Sequence, residues 1–149
     1  MNEPIIEKLD IQNKIDIEQV ILIFNTSRPK FVIQHSIDED REFFRQNILS
    51  SSIIYVLRKE KIYGFICMKK NQIEHLYIDS NIFSKGHGTS LLDYVKQKYD
   101  SLSLWVFQQN ERAVNFYKKN GFEVVDKTNG ENNEEKLPDY YMEWKMKKC

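Results

Sequence analysis

Between Ile73 and Tyr99 the chain changes its apolar period within a few residues, and that switch limits the folds open to it. Ile73-Glu74-His75-Leu76-Tyr77-Ile78 reads as a buried strand. Gly86-His87-Gly88-Thr89 comes after it as a turn, and Leu91, Leu92, Val95 and Tyr99 then fall at helical spacing with one apolar face. Strand, glycine turn and helix start together make a cradle for phosphate. The first N–H groups of a helix have no intrahelical partner, and the helix dipole favours an anion beside them. Glycine lets backbone come close to a ligand where a Cβ stands in the way. Gly-x-Gly alone is equally a plain loop before a helix, so the reading depends on a second motif further along the chain.

That second motif is Asn110-Glu111-Arg112-Ala113-Val114-Asn115-Phe116-Tyr117-Lys118-Lys119-Asn120-Gly121-Phe122. It is preceded by Leu102-Ser103-Leu104-Trp105-Val106-Phe107, which alternates and is rich in strand-favouring residues. Asn110 suits an N-cap, Ala113, Phe116 and Tyr117 share one helix face, and Gly121 supplies a left-handed residue to end the helix. A strand resumes from Phe122 to Val125.

Elsewhere Ile5 to Leu9 reads as a first strand. Asp16 with Gln19 predicts a helix start, with Val20, Ile21 and Phe24 facing inward. Ser36-Ile37-Asp38-Glu39 is a capping-box pattern opening a helix that carries Phe43, Phe44 and Ile48. Ile53–Leu57, Ile62–Met68 and Ile73–Ile78 are separated by turns short enough for an antiparallel meander. The last strand, Tyr140 to Met146, puts Tyr140, Met142, Trp144 and Met146 on one face. Lys127 to Asp139 is a polar excursion at the sheet edge. The sum is a mixed sheet with helices on both faces.

The paired motifs resemble those of the GNAT superfamily of N-acetyltransferases, with a Q/R-x-x-G-x-G/A pyrophosphate loop and a later N-x-x-A-x-x-F-Y-x-x-x-G-F helix. The second is matched at Asn110, Ala113, Phe116, Tyr117, Gly121 and Phe122; the first is matched at Gly86 and Gly88, with Phe83 where the family has Gln or Arg. That departure leaves more of the loop's binding to its N–H groups, and Lys85 is a compensating charge. The resemblance runs from about Ile5 to Met146 and implies an α/β (α+β) fold, one domain over residues 1–149. It implies a mixed, mostly antiparallel sheet of about six to seven strands with helices on both faces.

Composition agrees with one domain large enough for a core. The 22 basic and 22 acidic residues cancel, so no global charge draws the chain to nucleic acid or an anionic membrane. The opening Met1-Asn2-Glu3-Pro4 is unlike a signal peptide, and the longest apolar run, Val20 to Phe24, is too short to span a bilayer; the expected location is the cytoplasm. Cys67 and Cys149 read as reduced thiols rather than a disulfide, and His35, His75 and His87 share no metal-ligand spacing, so no metal is expected.

The resemblance implies acetyl-coenzyme A as acyl donor. Its pyrophosphate is assigned to the N–H groups around Lys85, Gly86, His87, Gly88 and Thr89, and its pantetheine arm to backbone at Leu76, Tyr77 and Ile78, where the family's strands splay. Tyr117 is the family's proton donor to the leaving thiolate, against a bland role in packing beside Phe116; a phenol of pKa ~10 is protonated at neutral pH. Glu74 is the candidate base for an ammonium, although the most direct alignment of the family's carboxylate falls on Gln72. Glu74 is equally a cross-strand partner for a lysine, and a water chain can replace a side-chain base. Asn110 combines its cap with a secondary cofactor contact.

Around His35 and around Glu134 and Glu135 the sequence resembles a subgroup of small bacterial acetyltransferases, and these residues are assigned to the acceptor side, although Glu134 and Glu135 are equally a solvated charge run. The expected activity is direct acetyl transfer in a ternary complex, to a primary amine of a small molecule. A protein or peptide acceptor and a non-catalytic acyl-coenzyme A-binding module are the alternatives, and a monomer or homodimer is expected.

Overall fold

The computed structural model describes residues 3–82 and 85–147 of the chain. Seven strands form one sheet: β1 (Ile5–Lys8), β2 (Ile53–Arg58), β3 (Ile62–Lys69), β4 (Gln72–Ile78), β5 (Ser101–Phe107), β6 (Glu123–Thr128) and β7 (Asp139–Lys145). Their spatial order is β1-β2-β3-β4-β5-β7-β6. Every neighbouring pair is antiparallel except β4 with β5. Four α-helices complete the fold: α1 (Lys14–Ser27), α2 (Ile37–Phe43), α3 (His87–Lys96) and α4 (Glu111–Lys119).

Alternation along the strands sends residues to two cores. Tyr55, Leu57, Ile66, Met68, Leu102, Leu104, Val106 and Met142 meet Leu91, Leu92 and Val95 of α3 and Val114 of α4 on one face. On the other, Ile54, Val56, Phe65 and Cys67 meet Val20, Ile21 and Phe24 of α1, with Phe44 and Ile48 from the turn after α2. The helices therefore occupy both faces, as the periodicities require. Tyr99 lies beyond the end of α3 but still packs on the first core.

Several local expectations are corrected. Asn13, not Asp16, caps α1: its side chain accepts from the Asp16 N–H at 3.1 Å. Asp16 is instead buried and pairs with Arg58 at 2.5 Å, while Gln19 accepts from the Ile62 N–H at 3.0 Å across to β3. The Ser36–Glu39 capping box forms as expected. Its helix gives way at Phe44–Ile48 to a π turn, with Leu49 N–H bonding Phe44 C=O at 2.9 Å, which lets both Phe44 and Ile48 reach the core. β6 runs on to Thr128, so the excursion is confined to residues 129–138. Met146 lies past β7 and is exposed. Cys67 is fully buried, and burial pushes its thiol pKa up to about 12, which makes it a core residue rather than a nucleophile. Cys149 and Phe83 lie outside the described residues.

Two irregularities shape the centre of the sheet. β4 pairs with β5 only through Gln72↔Ser103 and Ile73↔Leu104, and past Ile73 the two strands part. On its other side β4 carries a bulge: Cys67 pairs with His75 and Met68 with Ile73, leaving Glu74 without a partner. The bulge resets the alternation, so Ile73 and Leu76 pack on the first core and Glu74 and His75 do not, while all four line the cavity between the parted strands.

Candidate active site

The parting of β4 and β5 opens a cavity of about 700 Å³. Glu74, Leu76 and Tyr77 line it from β4, Trp105 and Phe107 from β5, and Asn110 and Tyr117 from the start and face of α4. His35 joins them from the segment between α1 and α2, and Glu134 and Glu135 from the excursion before β7. Eight of the residues singled out in the sequence are thus brought together. Ile78, Lys85, Gly86, His87, Gly88 and Thr89 do not line this cavity; they sit at the far end of β4 and at the start of α3.

There Gly86 takes the left-handed conformation, φ +86°, and the first intrahelical bond runs from the Ser90 N–H to the Gly86 C=O at 2.9 Å. The N–H groups of His87, Gly88 and Thr89 precede that bond and remain for a ligand. Gly88 also answers to a constraint within the protein. A Cβ there would lie 2.9 Å from Cζ of Phe116, so the glycine leaves room for that ring against α3. At Gly86 a Cβ meets nothing within 4 Å. Gly86→Ala is therefore expected to cost about 1–2 kcal/mol of backbone strain alone. Gly88→Val should displace the Phe116 ring, weakening both stability and coenzyme A affinity; thermal melting with calorimetry of coenzyme A binding separates the two effects.

Asn110 caps α4, its Oδ1 accepting from the Ala113 N–H at 3.2 Å. Tyr117, seven residues on, packs edge-on to Phe116 and Phe122 at 5.3 and 5.5 Å, and its hydroxyl makes no hydrogen bond to the described residues. Burial, with Tyr77 nearby, raises its pKa well above the ordinary phenol, so it stays a proton donor at neutral pH.

One wall is aromatic and was not anticipated from the sequence. Phe24, Phe43 and Tyr77 surround the ring of His75, at 5.0, 6.2 and 6.3 Å. Burial, followed by the nearby Arg28, lowers the His75 pKa to about 4, so the imidazole is neutral at pH 7. The folded chain then binds fewer protons than the unfolded one between that value and the ordinary 6.5. Stability should fall as pH drops through this window, with a contribution approaching about 1.4 kcal/mol per pH unit, and His75→Asn should remove that component in urea melts at pH 7 and pH 5.

Arg28 itself is buried with Asp40: Nη1 to Oδ1 is 2.8 Å. Its Nη2 donates to His35 C=O at 3.2 Å, and Asn25 Nδ2 bridges His35 C=O and Asp40 Oδ2, both at 2.9 Å. The Arg28 Nε–H has no partner among the described residues. His35 thus serves through its carbonyl as the anchor of the segment, while its ring lies 3.7 Å from Glu39. Glu135 is also engaged, accepting from the Ile33 N–H at 2.8 Å, and Phe31 meets Phe107 edge-on at 5.9 Å. The first of these joins two residues of the cavity wall. Glu74 accepts a 3.3 Å bond from Gln72, and no ion pair holds Glu74, Glu134 or Glu135 among the described residues. The Trp105 and Phe107 signal was present in the sequence, since both fall on the strand face opposite Leu102, Leu104 and Val106. Arg28 and Asp40 carried no such signal.

Among the described residues no group of three His, Cys, Asp or Glu side chains gathers as a metal site, and no helix is long and apolar enough to cross a membrane.

A family model described as acetyltransferase (GNAT) domain matches residues 26–145. Peptidyl-lysine N-acetyltransferase YiaC of Escherichia coli strain K12 is 32% identical over 85 residues, 56% of this chain and 57% of that protein. The chain spans about half the length of the curated relatives it matches. The solution structure of apo-form YjaB from Escherichia coli superposes with a TM-score of 0.77 at 22% identity, covering 98% of this chain and 100% of that one. PaiA N-acetyltransferase from Thermoplasma acidophilum, in complex with coenzyme A, gives 0.70 at 23% identity, covering 97% and 99%.

Proposed function

Because this chain belongs to the GNAT acetyltransferase domain family, we propose that it transfers an acetyl group from acetyl-coenzyme A to a primary amine, with the ε-amine of a peptide lysine as acceptor. Residues 1–149 are read as one such domain. The observation that carries the reading is the parting of β4 and β5 beside Tyr117 and Glu74, since it sets free backbone, a proton donor and a carboxylate around one space.

The chain's own groups fit the donor. On the β5 side, backbone of Leu76, Tyr77 and Ile78 has no ladder partner and can pair with the amides of a pantetheine arm. The N–H groups of His87, Gly88 and Thr89, with Gly86 turning the chain and Lys85 exposed beside them, suit a pyrophosphate. The PaiA structure is itself a coenzyme A complex, which supports the same donor here. When bound, acetyl-coenzyme A supplies the acetyl group as a thioester.

An acceptor amine of pKa ~10.4 arrives as an ammonium and must lose a proton before it can attack. Glu74, in the bulge, is the carboxylate on the β4 wall that can take it, directly or through water. As the C–S bond breaks, the Tyr117 hydroxyl donates to the departing sulfur. Neutral His75 adds no positive charge to repel the acceptor, and Glu74, Glu134 and Glu135 attract one. Asn110 holds the first turn of α4 and with it the height of Tyr117 over the gap.

The lysine acceptor is supported by the relatives named peptidyl-lysine N-acetyltransferases. A small-molecule amine is the second reading, favoured by the Glu135–Ile33 bond, which ties together two segments of the cavity wall. Release of free coenzyme A against a panel of lysine peptides and small amines tests the proposal. Amine-dependent release is expected, greatest with peptides. Tight coenzyme A binding with no release for any amine would make the chain a binding module.

A further inference from the structure

The half of the sheet formed by β5, β7 and β6 has its own recess on the face that bears the cavity. The core under α1 and α2 includes no residue of these three strands, so it does not cover their outer face. Trp105 is 46% exposed there and tilts against Tyr141 at 4.9 Å. Beyond it lies a space of about 470 Å³ floored by Trp105 and Phe107 and rimmed by Thr128, Asn132, Asn133 and Asp139. Trp105 and Phe107 also wall the active-site cavity, so the two spaces lie side by side along β5. The excursion stands between them, with Glu134 and Glu135 on the cavity side and Asn132 and Asn133 on the recess side.

The chemistry of the two spaces differs. The cavity carries carboxylates without ion-pair partners among the described residues, which suits a lysine ammonium. In the recess the one carboxylate is already committed: Thr128 donates its hydroxyl to Asp139, and Asn133 Nδ2 donates to the other oxygen at 3.2 Å. Its aromatic floor offers apolar contact and no free charge.

We propose that this recess is an acceptor subsite that takes a large apolar side chain two residues from the lysine being acetylated. In an extended peptide alternate side chains point the same way and lie about 7 Å apart. A lysine entering the cavity then directs its second neighbour, on one side, over Trp105 and into the recess. The inference rests on the peptide-lysine reading above and adds to it a sequence preference.

The test is calorimetric and needs no turnover. Five-residue peptides with a central lysine, carrying Phe, Leu, Gly or Asp at either end, are titrated into the protein saturated with coenzyme A. Phe or Leu at one end should tighten binding about tenfold or more over Gly, and Asp should weaken it. Asn132 is exposed and makes no hydrogen bond to the described residues, so Asn132→Trp can fill the recess from its rim. That variant should lose the preference while keeping its coenzyme A affinity and its affinity for the Gly peptide. Asn132→Phe, with melting curves for both, guards against a folding effect. Equal binding of all four peptides, no peptide binding, or a preference unchanged in both filled variants overturns the subsite. A flank preference in a protein that acetylates no peptide would contradict the transfer reading and leave the subsite standing.

Discussion

Tyr117→Phe is expected to bind acetyl-coenzyme A as the parent does and to lose about a hundredfold in kcat. The ring contacts to Phe116 and Phe122 survive the change, so α4 stays in place. Only the hydroxyl goes, and in the protein it has no hydrogen-bond partner among the described residues to leave behind. General acid catalysis contributes ~10²–10⁴-fold, and a thiolate leaves well enough unaided to put the loss at the lower end. Because the interaction is made mainly as the C–S bond breaks, KM for the donor should hardly move. Stopped-flow turnover and calorimetry on the same preparation measure both quantities. A kcat within about threefold of the parent, with normal binding, would reduce Tyr117 to a packing residue.

The largest effect on stability is expected at Asp40. Asp40→Ala should cost about 3–5 kcal/mol, because it leaves the Arg28 guanidinium buried without its counter-ion. Among the described residues Arg28 already has one N–H unpaired, and Asn25 would lose one of its two acceptors as well. The segment from Arg28 to Ser36, which walls the cavity, should loosen with it. The double variant Arg28→Met/Asp40→Leu removes both charges and should recover much of the loss. Urea unfolding of the three proteins decides the matter. A double variant no more stable than Asp40→Ala would show that the pair contributes through packing rather than charge.

The sequence made the strands, the glycine turn and the Asn110–Phe122 motif legible because each is a local pattern. Asn110 caps, Gly121 takes φ +90°, and the meander pairs in the expected order. The features that escaped depend on groups far apart in the chain. Asn13 and Asp16 are both good caps by type, and only the ion pair with Arg58 draws Asp16 away. The bulge at Glu74 is a matter of register with β3, which no spacing within β4 reveals. Gly88 answers to Phe116 on another helix. Arg28 and Asp40 read as ordinary surface charges until α1 and α2 close on each other. Glu135, assigned by resemblance to the acceptor side, also holds a backbone N–H more than a hundred residues away.

The most direct measurement is a single turnover of stoichiometric protein and acetyl-coenzyme A with a lysine peptide, with the peptide then read by mass spectrometry. Acetyl-lysine should form at the rate coenzyme A appears, in the parent far faster than in Tyr117→Phe, and no acetyl group should be found on the protein. Coenzyme A release without acetyl-lysine, an acetylated protein as intermediate, or equal rates in parent and variant would contradict direct transfer assisted by Tyr117.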